Sequence, residues 1–148
     1  MDDDQPRDVA PDDALLRRVI NRADFLEWHA DWGRWIPSAG AVKFDPDGMS
    51  TFVERFLHEA GGSAAAVGTA GGSKVPEPVF AVTADRGRSL DFAVSHTPDD
   101  RSPIGHAHAS VTRPHGQSTG DFKSARSQLA QSMTLVHGTI TLDPPDGA

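Results

Sequence analysis

Side chains able to do chemistry crowd into one short stretch, Gly105-His106-Ala107-His108-Ala109-Ser110-Val111. Read as a strand, period-two alternation sends Ala107, Ala109 and Val111 to one face and His106, His108 and Ser110 to the other. The small apolar face must turn inward, so both imidazoles are expected to look toward solvent or a cleft. Two histidines two apart on one strand face have the spacing of a His-x-His metal pair. A catalytic zinc would need a third protein ligand. His115 completes the preferred set with His106 and His108, with His96, His137 or Asp91 as other sources. A metal-dependent hydrolase or dioxygenase would follow. A second chemistry needs no cofactor. His108-Ala109-Ser110-Val111 recurs in type as His137-Gly138-Thr139-Ile140. Two such imidazoles on one face could act as general acid and base while the Ser110 and Thr139 hydroxyls hold phosphate oxygens. Ser-His-Asp chemistry is open on composition, but no nucleophile elbow is present. Against all three stands the plainer expectation that amphipathic imidazoles sit on a half-exposed strand with no catalytic duty and no cofactor.

The elements that must position these groups follow from pattern. Asp12 or Asp13 can cap a helix with Leu15, Leu16, Val19 and Ile20 as its apolar positions. Phe25, Trp28, Trp32 and Trp35 then recur at helical spacing until Pro37. All three tryptophans of the chain lie in this segment, as a core stripe or as an aromatic platform for a partner. A short strand at 41–44 and a turn at Asp45-Pro46-Asp47-Gly48 precede a helix over 51–60, capped by Ser50 and stopped by Gly61. The stretch 61–78 reads as a Gly- and Ala-rich loop with one helical turn at 64–67. Its Gly68–Lys74 part fails as a phosphate loop, because prolines follow where Gly-Lys-Ser/Thr and a helix should. Strands are expected over 79–83 and 90–95, with one helical turn between them. The strand 106–112, a helix over 121–133 and a strand over 135–142 make a parallel βαβ unit whose free face would carry His106, His108, Ser110, His137 and Thr139. The fold class is therefore α+β: a single domain over 12–148, with a mixed sheet of four to five strands and three to four helices.

Composition narrows the partners. The chain has 148 residues, enough for one domain with a sizeable core, and no cysteine, which excludes a disulfide framework and a thiolate zinc site. Residues 1–13 hold six Asp and one Arg, so they account for −5 of the formal net charge of −7. Residues 1–11 are polar and acidic enough to be expected as a disordered tail. The acidic balance argues against non-specific nucleic-acid or anionic-membrane binding, and no apolar run approaches a membrane span. The N-terminus lacks the basic-then-apolar order of a signal peptide, and a cytoplasmic setting is expected.

Two resemblances attach to particular residues. Gly33-Arg34-Trp35-Ile36-Pro37-Ser38, Asp47-Gly48-Met49-Ser50 and His108-Ala109-Ser110-Val111, in that order, resemble a group of small bacterial proteins of uncharacterised activity. These share G-R-[WY]-x-P-S, D-G-[LM]-S and P-A-H-A-x-V, and His106 departs from that last motif. The resemblance spans most of 25–112 and implies a small cytoplasmic bacterial domain. The paired H-x-[ST]-apolar motifs are similar to those of the 2H phosphoesterases, which implies cleavage of cyclic phosphates or RNA ends by His108, His137, Ser110 and Thr139. That family's motifs lie on separate lobes and farther apart than the 29 positions here. The expected function is thus a non-enzymatic interaction or accessory protein of a bacterial system, with an unidentified protein partner. A metal-dependent or paired-histidine hydrolase is the alternative.

Overall fold

The computed structural model describes residues 5–70 and 74–145. Its elements run β1 (Ala14–Arg18), β2 (Leu26–His29), β3 (Arg34–Pro37), β4 (Met49–Val53), α1 (Glu54–Glu59), α2 (Ala64–Gly68), β5 (Val79–Thr83), α3 (Ala84–Ser89), β6 (Ala93–His96), β7 (His108–Thr112), α4 (Thr119–Ser132) and β8 (Thr134–His137), with a 3-10 turn at Gly105–Ala107 before β7. Six strands form one sheet in the order β6-β7-β4-β1-β5-β8, and β2 and β3 form a separate hairpin. The fold is α+β, as expected, but among the described residues the main sheet has six strands rather than four to five, and every strand pairing is antiparallel rather than mixed.

The largest departure is at the N-terminal end. Leu15 and Leu16 are both almost fully buried. They lie on β1, the only strand paired to both β4 and β5, where neighbours flank it on each side. A strand buried on both faces loses its alternation, and consecutive apolar residues then imitate a helical stripe. The tryptophan segment misleads in another way. Trp28 and Trp35 face each other across the β2–β3 hairpin, ring centroids 5.4 Å apart at 72°. Gly33, at φ 61°, takes the left-handed position of the turn. Trp32 is exposed at the hairpin tip and stacks on His29. The core is instead aliphatic and phenylalanine-rich, and includes Leu15, Leu16, Val53, Phe80 and Met133.

Nearer the centre, Met49, Thr51 and Val53 are buried on β4 while Ser50 is exposed, so these residues form a strand before α1 rather than the first turn of a helix. No strand forms over 41–44; an isolated bridge joins Asp45 to Gly48. The helical turns at 64–67 and 84–89, the strand at 79–83, and the helix closed by Met133 are where the pattern put them. Ser118 caps α4, and the apolar residues Phe122, Ala125, Leu129 and Met133 at helical spacing are buried. The acidic segment expected to be disordered lies in part against the domain. Val9 enters the core, the Arg7 backbone N–H donates to His96, and Arg7 pairs with Glu59. Residues 1–4 of that segment lie outside the described residues.

Candidate functional site

Ala109 and Val111 on β7 do point inward, and Ala107 is buried too, although it closes the 3-10 turn rather than opening the strand. Its other face is a polar groove. Ser110 lies opposite Ser50 on β4 and opposite Ser95 on β6, so three serines stand in a row on one face, with Phe52 opposite His108 beside them. The 45–48 turn at one end and the loop after β6 at the other close a groove of about 520 Å³, which also holds Thr97, Asp99 and Arg101. Gly48 is required where β4 enters the sheet. At φ 100°, a Cβ there would come within 2.6 Å of the Val111 carbonyl oxygen.

His108 forms the floor of this groove. It is only 7% exposed, so it faces the cleft without reaching open solvent. Its Nδ1 lies 3.0 Å from the Thr97 carbonyl oxygen and 2.9 Å from the Thr97 hydroxyl, and its Nε2 lies 3.0 Å from Ser50 Oγ. A carbonyl can only accept, so Nδ1 carries the proton in the neutral ring and donates to Thr97. Nε2 is then the acceptor, and the Ser50 hydroxyl donates to it. Thr97 Oγ1 is also 2.9 Å from Ser110 Oγ, which ties the serine row to the imidazole. Asp99 Oδ2 stands 3.9 Å from His108 Nδ1. Burial works against ionisation of Asp99. The hydrogen bonds from Arg101 and the charges of Arg101 and His108 outweigh it and hold the carboxyl below its usual range. Gly105 lets that loop close, since a Cβ there would collide with Asp99 oxygens.

The other residues singled out by sequence are dispersed. β7 and β8 occupy the second and sixth places of the sheet with three strands between them, and β8 ends at His137, so the strand expected to reach 142 stops short of Thr139. No βαβ unit joins the two strands, and His137 and Thr139 do not share a site with His108 and Ser110. The paired-histidine arrangement is therefore not formed. His106 lies in the 3-10 turn rather than on the strand, and its Nε2 is buried without a hydrogen-bond partner. His115 lines a different groove, with Asp91 and Asp121. Among the described residues no group of three or more His, Asp or Glu is arranged to hold a metal ion, so the His106, His108 and His115 set is not assembled. His96, another suggested ligand, is a structural tie. Its Nε2 donates to the His106 carbonyl at 2.7 Å and its Nδ1 accepts the Arg7 N–H at 2.8 Å.

Ser50, Thr97 and Asp99 are the groove residues that sequence reading passed over. Ser50 had a helix-capping pattern. The signal that could have found it is the alternation of Met49, Thr51 and Val53, which leaves Ser50 and Phe52 on the outward face. A second surface lies at the far edge of the sheet. All four residues of β8 are exposed, with Leu135 at 41% and Val136 at 47%. Comparison of the chain with family models, curated proteins and solved structures finds no match.

Proposed function

We propose that this chain is a non-enzymatic interaction or accessory domain that takes an extended segment of a partner protein along the outer edge of β8. The observation that carries this reading is the edge strand itself. β8 ends the six-stranded sheet, and it presents two large aliphatic side chains to water. An exposed apolar edge offers unpaired backbone donors and acceptors together with side-chain area, the two things that strand addition uses. Natural edges are usually blunted by charge, and Thr134-Leu135-Val136-His137 has no Asp, Glu, Lys or Arg. Leu135→Lys combined with Val136→Lys should abolish capture of a partner and remove cross-links between β8 and that partner, while leaving the thermal melt in place. Capture that is indifferent to the double substitution would refute the reading. A dimer in light scattering, lost in the double variant, would make the occupant a second copy instead.

A second reading is favoured by one distance, the 3.0 Å between Ser50 Oγ and His108 Nε2. It is acyl transfer with Ser50 as nucleophile. Ser50 Oγ would bond to an acyl carbon as its proton passes to Nε2. His108 would return that proton to the departing alkoxide, and water would then release the acyl group by the same path. Asp99 and the Thr97 carbonyl would steady the imidazolium. A serine-directed fluorophosphonate should then label Ser50 in the native protein and fail to label it in His108→Asn. An unlabelled Ser50 in the native protein removes this reading and leaves the first untouched.

A further inference from the structure

Behind Ser50, on the side away from His108, lies a second cavity of about 360 Å³. Arg17, Arg18 and Lys43 line it, and Ile20, Phe25 and Phe52 supply apolar wall. Among the described residues that line it there is no carboxylate. The two arginines are positioned without being neutralised. Arg17 Nε donates to the Ala41 carbonyl at 2.8 Å and its Nη1 to the Ser50 carbonyl at 2.7 Å, while Arg18 Nη1 donates to the Ala70 carbonyl at 2.6 Å. The two bonds fix the plane of the Arg17 guanidinium and the single bond anchors Arg18 at one nitrogen, and neither forms an ion pair with a carboxylate among the described residues. Lys43 has only a loose exposed pair, 3.7 Å from Asp45. Both arginines are half-buried, and a partly desolvated cation without a counter-ion carries a cost that a bound anion would relieve. Here burial pushes the Arg17 guanidinium down to about 10, although Asp45 acts in the opposite sense.

We infer that this cavity binds a small organic anion, a phosphate monoester or carboxylate whose apolar body rests on Ile20, Phe25 and Phe52. Anchored guanidiniums with donors to spare are suited to fork-like contacts with such oxyanions. The volume falls within the usual range for small-molecule sites. Mixed charge and apolar wall select an amphipathic anion over an inorganic one. The site stands independently of the β8 edge and of any chemistry at Ser50, because it is read by binding alone.

Phenyl phosphate and benzoate are the probes, with benzyl alcohol and inorganic phosphate as controls for body and charge. Calorimetry on the full chain should show saturable one-to-one binding of at least one probe, weakened as ionic strength rises. It should bind roughly tenfold or more tightly than either control, the factor expected when a second recognition element is engaged. Arg17 holds two carbonyls, that of Ser50 on β4 among them, whereas Arg18 holds only that of Ala70 outside the sheet, so Arg18→Gln with Lys43→Gln is the test variant. It should keep the native melt and lose roughly tenfold or more in affinity, as removal of charge-assisted contacts implies. Absence of saturable binding by both probes overturns the inference. So does equal binding by inorganic phosphate, or affinity unchanged in the double variant.

Discussion

At the scale of single residues, His108 is defined by what it touches. Its ring joins three separate pieces of chain: β7 that carries it, Thr97 after β6, and Ser50 on β4. His108→Ala should therefore destabilise the fold by about 1–3 kcal/mol, since it strands partners in a nearly buried place. Ser50→Ala, at an exposed position, should cost under about 1 kcal/mol. Urea melts of the two variants check the order. If Ser50→Ala proves the more damaging, the imidazole is not what orders the groove. The importance of His108 was legible from sequence in the alternation of 107, 109 and 111. Its partners were not, because Ser50, Thr97 and Asp99 come to it from 58, 11 and 9 positions away.

At the scale of elements, the β2–β3 hairpin shows how a periodic pattern can name the wrong structure. Positions 28 and 35 are seven apart, which is two helical turns. In a hairpin with a four-residue connection they are also a directly opposed pair. The left-handed Gly33 decides between the two. A Cβ there meets nothing within 4 Å, so Gly33→Ala tests conformation alone. It should cost about 1 kcal/mol, with Gly33→Asn costing less, because asparagine tolerates positive φ. A double-mutant cycle on Trp28 and Trp35 should return a coupling of about 0.5–1.5 kcal/mol for the edge-to-face pair. Zero coupling would mean that the rings do not hold the hairpin closed. α4 was read to within two residues of its start for the opposite reason. Its apolar spacing and its end lie within the segment, and local signals suffice when the partners are local.

At the scale of the whole molecule, the N-terminal segment is secured by ions. Asp13 is nearly buried, and both its oxygens receive hydrogen bonds from Arg55, at 2.8 and 2.9 Å. The Arg55 hydrogen bonds, opposed by burial and helped by the Ala10 N–H, hold the Asp13 carboxyl below its usual range. A carboxyl depressed in the folded state contributes stability that is present above its unfolded value, near pH 4, and is lost as pH falls through the folded value. Thermal melts should therefore drop in the acid limb below about pH 4, and Asp13→Asn should flatten that limb. Half of the pair is open to solvent at Arg55, so the loss at neutral pH should be only about 1 kcal/mol. An unchanged acid limb in Asp13→Asn would place the acid sensitivity elsewhere. By itself, the sequence determined the α+β class, β5, α3, α4 and the inward face of β7, because each is settled by neighbours within a few positions. Only the tertiary structure decided that β1 is a central strand, that the six sheet strands pair antiparallel, and that three strands lie between β7 and β8. Strand order is a matter of which distant segments meet, and period-two and period-3.6 patterns carry no information about that. The histidine motifs at 108 and 137 look alike on the chain and are separated in space for this reason, while Ser50, whose local pattern reads as a helix cap, ends beside the imidazole.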